Sequence, residues 1–145
     1  MRQLLFGLII GWLVIAGPAV ASEADAVIGE WYTQDNKALV QIYKQGDVYN
    51  GKIVWLKEAK NEDGSDKLDT NNPDEARRGQ PIVGLNLVNG FNYKGSNKWA
   101  NGTIYDPDNG KTYKCKMSLN DDGTLKVRGF IGVSLIGRTQ VWTRK

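Results

Sequence analysis

From Leu125 to the end of the chain, apolar and polar side chains alternate with a period of two. Leu125 and Val127 lie opposite Lys126 and Arg128, while Arg138, Gln140, Trp142 and Arg144 share one face and Thr139, Val141 and Thr143 the other. That period belongs to strands with two distinct faces, not to helices. The same rhythm predicts strands over Val27–Thr33, Ala38–Lys44, Val48–Lys57, Ile82–Val88, Gly90–Tyr93, Trp99–Tyr105, Thr112–Leu119, Leu125–Ile131 and Leu135–Thr143. Gln45-Gly46-Asp47, Asp106-Pro107-Asp108-Asn109-Gly110 and Asn120-Asp121-Asp122-Gly123 are tight-turn sequences between them, in which Pro sets the entry dihedral and Asn-Gly or Asp-Gly accept the left-handed conformation. Asn50-Gly51 reads either as a bulge or as a true turn. With no amphipathic helix to cover it, an antiparallel sheet removes its edges most completely by closing on itself. The expectation is an all-β fold: a single up-and-down antiparallel barrel of about eight strands, closed between the Trp31 strand and the Trp142 strand.

Residues 58 to 80 break the rhythm, being acidic, polar and rich in Asp, Asn and Gly. This is the one long loop. Asn72-Pro73-Asp74-Glu75 places an N-cap before a proline at the first helical position, which predicts one or two turns of helix to about Arg78. A long insertion of this kind serves either as a functional lid or as a solvated cover over one barrel end.

The first 21 residues change the count of what folds. Arg2, the apolar run Leu4 to Ile15 and the small-x-small site Ala19-Val20-Ala21 have the order of a secretory signal peptide. The expected division is therefore a leader over residues 1–21 and a barrel domain over 22–145, with a frayed start at Ser22 to Ala26. Cleavage near Ala21 places the protein in the periplasm or outside the cell, with no stable membrane span left after cleavage. The 145 residues include one cysteine, Cys115, and no histidine. Cys115 alternates with Tyr113 and Met117, which reads as a buried thiol, and no imidazole exists to activate it. Ser-His-Asp and Cys-His chemistry and His-ligated zinc are excluded. The net charge of +3 is carried by lysines such as Lys57, Lys60 and Lys67 that sit among Glu58, Glu62, Asp63 and Asp66. Such mixing of signs, rather than a basic stripe, argues against a nucleic-acid partner.

Candidate chemistry is sparse. Asn61-Glu62-Asp63-Gly64-Ser65-Asp66 lacks EF-hand spacing, since Ala59 and Thr70 stand where ligands would be needed, and reads as a solvated loop. Asp106 with Asp108 or Asp35 could form a hydrolytic pair, as could Asp106 with Tyr105 or Arg128, but turn capping explains these carboxylates better. No catalytic residue, cofactor or metal is expected. The aromatic set Trp31, Trp55, Trp99 and Trp142, with Tyr43, Tyr49, Tyr93, Tyr105, Tyr113, Phe91 and Phe130, either fills the barrel or lines a cavity for one apolar ligand. For the cavity, the candidate ligand-binding residues are Arg138, Gln140, Trp142, Arg128, Tyr105 and Trp55, holding a small amphiphile by an anionic or hydroxylated head. Leu125, Val127 and Ile131 look like the core side opposite Arg128, which favours an outside position for it; for Arg138 and Gln140 both faces stay open.

Gly29-Glu30-Trp31 on the first strand, with arginines on the last, resembles the lipocalin and wider calycin pattern. More specifically, Gly51-Lys52-Ile53-Val54-Trp55-Leu56, Asn72-Pro73-Asp74, Arg78 with Pro81-Ile82-Val83-Gly84-Leu85, Gly102-Thr103-Ile104-Tyr105-Asp106-Pro107, Gly110-Lys111-Thr112-Tyr113, Val127-Arg128-Gly129-Phe130-Ile131-Gly132 and Gly137-Arg138-Thr139-Gln140-Val141-Trp142 resemble the bacterial exported family called domain of unknown function 2147. The resemblance runs from Asp25 to Arg144. It implies a lipocalin-like barrel of the bacterial envelope and no established catalytic residue. A late arginine is expected to pack on Trp31 beside Gly29, Arg144 ahead of Arg138. The function expected is a non-catalytic binding module for an amphiphilic or hydrophobic ligand; the alternatives are a filled, structural barrel that docks an envelope protein partner and, behind it, an envelope hydrolase.

Overall fold

The computed structural model describes residues 22–145, together with 11, 13–15 and 17. The expected cleavage site Ala19-Val20-Ala21 and most of the expected leader lie outside the described residues. Eight antiparallel strands, β1 (Gly29–Tyr32), β2 (Ala38–Gln45), β3 (Val48–Leu56), β4 (Asn86–Tyr93), β5 (Lys98–Asp106), β6 (Lys111–Leu119), β7 (Leu125–Phe130) and β8 (Gly137–Arg144), close in sequence order. Closure is made where Trp31 pairs with Arg144 and Tyr32 with Thr143. Asn50-Gly51 lies inside β3, and the register against β4 shifts there, so it is a bulge and the turn is Gly46-Asp47. Gly90 does not separate two strands either: at φ 76° it sits within a continuous β4.

Inward-facing apolar side chains from all eight strands merge into one cluster around Trp31, Val40, Ile42, Tyr49, Ile53 and Val88, continuing through Phe91, Trp99, Met117, Leu125, Val127 and Trp142. Each of the three inward tryptophans is wholly buried. At Gly102 even a Cβ would lie 2.5 Å from the Phe91 ring, so glycine makes the room that the aromatic fills.

In an up-and-down barrel alternate connections gather at the same end. One end holds the β2–β3, β4–β5 and β6–β7 turns and the incoming chain. The start at Ser22 to Ala26 is not frayed. Glu23–Val27 forms a 3-10 turn across this end, where the Trp31 Nε1 donates to the Val27 carbonyl at 2.9 Å and the Trp99 Nε1 to that of Ala24 at 3.1 Å. The Tyr49 hydroxyl donates to Asp25 at 2.6 Å. Buried indole N–H groups need acceptors, and the carbonyls of this segment supply them. Core, end plug and closure all lie among residues 22–145.

The long loop crosses the other end. Its Ile82 and Leu85 pack on the core, and Gly84 N–H donates to the Ile53 carbonyl at 2.7 Å. Asp69, fully buried, accepts from the Tyr105 hydroxyl at 2.6 Å and from Asn72 Nδ2 at 2.8 Å. Asn71 Nδ2 ties the loop to the β5–β6 turn through the carbonyls of Pro107 and Asp108. The expected helix is only a 3-10 turn, Glu75–Arg77, and its cap is Asp74 rather than Asn72. Asn72 is drawn off to Asp69 and to the Asp74 N–H, an Asx turn that starts the segment later.

Candidate functional site

Barrel closure is the most specific side-chain constellation. The Arg144 guanidinium carbon lies 4.1 Å from the Trp31 ring centroid, with Nη1 donating to the Ile28 carbonyl at 3.1 Å and Nη2 to that of Ala26 at 2.6 Å. A planar cation can stack and donate at once, which an ammonium cannot. Gly29 belongs to the same unit: its φ is 139°, and a Cβ there would stand 2.8 Å from Arg144 Nη1. Arg144→Ala removes the stack and two charged hydrogen bonds, so it should destabilise the barrel by about 2 kcal/mol, measured by urea unfolding. An unchanged midpoint would show that the cation only decorates the indole.

The six candidate ligand-binding residues are not brought together. Arg138, Gln140 and Trp142 share the inner face of β8, opposite Gly129, Val127 and Leu125 of β7. The indole of Trp142 is buried and donates to Gln140 Oε1 at 3.0 Å, while Arg138 is exposed at the rim. Arg128 points outward, where its Nε donates to the Ser134 carbonyl at 2.7 Å and its Nη1 to the Thr139 hydroxyl at 2.8 Å. Tyr105 also faces out, towards Asp69; burial first, then the hydrogen bond to that carboxylate, pushes its hydroxyl up to about 12. Trp55 stands on the outer wall, 44% exposed, meeting Tyr32 edge-on at 6.3 Å between centroids. A single residue of register decides each of these faces, and the β2–β3 bulge at Leu39/Val40 shifts the register beside Trp55.

Two clefts mark the surface, and the second is lined in part by Trp99 and Met117 of the core. One, about 600 Å³, lies in the long loop between Lys57 and Lys67. The other, about 340 Å³, runs along the outside of β5–β7 over Lys94, Lys98, Lys116, Lys126 and Arg128. The mixing of charge read from residues 57–67 does not extend to this wall. β6, β7 and β8 carry seven basic residues (Lys111, Lys114, Lys116, Lys126, Arg128, Arg138, Arg144) and no acid. Lys116 pairs across the sheet with Arg128, and Lys114 with Phe130. Lys98, Lys114, Lys116, Lys126 and Arg128 make no ion pair among the described residues.

Next to this wall, the β7–β8 connection exposes Ile131, Val133, Leu135 and Ile136, which are 64, 58, 89 and 65% accessible. Sequence reasoning absorbed Ile131 and Leu135-Ile136 into strands. The available signal was a six-residue connection with four aliphatic side chains and no charge.

Among the described residues no group of three or more His, Cys, Asp or Glu side chains gathers into a metal site. Burial pushes the Cys115 thiol up to about 12, the opposite of what an attacking thiolate needs.

Residues 29–144 match a family described as an uncharacterized protein conserved in bacteria, DUF2147. The chain belongs to the DUF2147 family. This DUF2147 barrel is also similar to the solved structure of protein HP1028 from Helicobacter pylori, described as belonging to the lipocalin family. The two share 22% sequence identity over 82% of each chain, with a TM-score of 0.71. At that identity the likeness establishes the lipocalin-like fold. No curated protein matches the chain.

Proposed function

We propose that this DUF2147 chain is an exported, non-catalytic binding module of the bacterial envelope that engages its partners through its outer wall and rim. The observation that carries the reading is the packed interior: Trp31, Trp99, Trp142 and Phe91 are wholly buried in one cluster of apolar side chains drawn from all eight strands. A lipocalin-like barrel that holds an apolar ligand needs a cavity of about 300 Å³ or more lined by such side chains. Here the side chains occupy that space themselves. The features left for recognition are outside: the half-exposed Trp55 beside Tyr32, the unpaired basic wall and the apolar tip. The order of charge, apolar run and small-residue site over residues 1–21 supports export.

Native mass spectrometry of protein purified from its own envelope tests both parts. The expected mass is that of a chain starting at Ser22 with no stoichiometric small molecule. A tightly held apolar ligand, or a chain keeping residues 1–21, would overturn the corresponding part.

A second reading retains a small amphiphile at the rim, favoured by Arg138, which faces inward and has no hydrogen-bond or ion-pair partner among the described residues. Saturable binding of a fluorescent fatty acid, lost in Arg138→Ala, would install that reading. Unsaturable binding that ignores the substitution would remove it.

A further inference from the structure

The β7–β8 tip and the wall beside it form one surface with two chemistries. Four aliphatic side chains stand out from a connection that its own backbone holds in shape: Ile131 N–H donates to the Ile136 carbonyl and Ile136 N–H to that of Val133, both at 3.0 Å. Arg128 fastens the same loop from outside through the Ser134 carbonyl. The tip is therefore a preformed apolar projection, and its exposure is not relieved by packing on the barrel. One strand pair below it lie Phe130 and Lys114, and the next pair down is Arg128 and Lys116. Lys126 follows beside Ser118, and Arg138 stands at the rim where β8 leaves the loop.

An apolar tip ringed by unpaired cations fits an interface in which the outermost layer is negative and the layer beneath it is hydrocarbon. We infer that this DUF2147 barrel docks on an anionic phospholipid surface by inserting Ile131, Val133, Leu135 and Ile136 among the acyl chains while Lys114, Lys116, Arg128 and Arg138 meet the headgroups. The inference rests on the proposed outward-facing role. A protein partner fits less well: six residues are far too few to bury the roughly 800 Å² per partner of a stable complex, and the tip lacks the Trp and Tyr anchors on which such complexes rely. The connections flanking the tip carry Asp106 and Asp108 in the β5–β6 turn, where Asp106 is engaged by the Asp108 N–H, and Asp35 in the β1–β2 connection, whose neighbour Gln34 accepts from the Val141 N–H of β8. The long loop closes the same end of the barrel as the tip, but it connects β3 to β4, the strand pair opposite β7–β8 in the ring, so its acids Glu58, Glu62, Asp63 and Asp66 belong to the far side of that end. The charge distribution thus favours an approach side-on through the β6–β8 wall, with the tip leading and the β3–β4 side of the same end turned away from a negative surface.

The test is flotation of the protein purified from its own envelope with vesicles of phosphatidylethanolamine and phosphatidylglycerol, against vesicles of phosphatidylcholine alone. The barrel should float with the anionic vesicles and bind the neutral ones at least tenfold more weakly. Raising the salt severalfold should release it, because screening shortens the reach of the cations. Leu135→Asn with Ile136→Asn, and separately Lys114→Glu with Lys116→Glu, should each weaken binding about tenfold or more. All four side chains are exposed or outward-facing, so the melting temperature of each double variant should stay close to that of the parent. Failure of the parent to float with anionic vesicles overturns the inference, as does binding that neither double variant weakens. If the parent ignores vesicles while a photoreactive residue at position 135 cross-links a protein in cells, the lipid surface is wrong and the outward-facing role stands. A stoichiometric internal ligand in the native mass would instead remove that role itself.

Discussion

Trp31→Ala is expected to cost the barrel about 4 kcal/mol and to lower its Tm by about 15 °C. The indole is wholly buried and joins three separate parts of the molecule. It pairs with Val40 and Arg144 across β2 and β8, donates to the Val27 carbonyl of the end plug and carries the Arg144 guanidinium on its face. Truncation leaves a cavity in a close-packed interior, frees a buried carbonyl and removes the surface on which the cation rests. Against a total stability of about 5–15 kcal/mol for a domain, that loss is large. Trp31→Phe keeps most of the volume but not the N–H, so it should fall between the parent and Trp31→Ala in thermal and urea unfolding. A Trp31→Ala variant within about 1 kcal/mol of the parent would mean that closure depends on the strand ladder and not on this side chain.

How much of this was readable from the residues follows from the range of the interactions. Strand positions, the closed barrel and the choice of Arg144 over Arg138 rest on local alternation, on turn residues and on a short motif, all of which a single sequence displays. Gly29 was legible as part of a pattern, while its reason, the Arg144 Nη1 that leaves no room for a Cβ, is a contact across 115 residues of chain. The faces of Trp55 and Tyr105 were not legible, because a bulge in β2–β3 and one in β5–β6 change which side alternate residues occupy. The segment Ser22 to Ala26 looked like a polar leader because its contribution is carbonyl oxygens offered to Trp31 and Trp99, and backbone acceptors leave no trace in side-chain composition. The basic wall was hidden for a related reason: Lys114, Lys116, Lys126 and Arg128 are separated in sequence by apolar residues and by an acidic turn, and only strand pairing sets them side by side.

Stability should fall steeply in alkali, and the order in which it falls identifies the groups responsible. Burial pushes the Cys115 thiol from 9.0 up to about 12. Burial first, then hydrogen bonds to Asp25 and Asp69, pushes the Tyr49 and Tyr105 hydroxyls from 10.0 up to about 12. All three are acids whose neutral form the fold favours. Below about pH 8.5 folded and unfolded chains both hold these protons, and the contribution to stability is complete. As the pH rises through the ordinary values, the unfolded chain releases protons that the folded chain keeps until about pH 12, so unfolding is favoured across that window. From about pH 9 to 10 the slope belongs chiefly to Cys115 and should approach about 1.4 kcal/mol per pH unit. Above about pH 10 Tyr49 joins it fully, and Tyr105 contributes less because water reaches part of it and screens the difference. The loss by about pH 11 to 12 is then several kcal/mol, comparable with the whole stability of a domain this size. Urea unfolding at closely spaced pH values checks the sequence of events: Cys115→Ala, though less stable at pH 7 for want of its sulfur, should lose stability much less steeply than the parent around pH 9, and Tyr49→Phe should flatten the fall above about pH 10. A parent protein whose stability is level to about pH 11, or a Cys115→Ala profile parallel to that of the parent, would show that these groups titrate in the folded chain as they do in water.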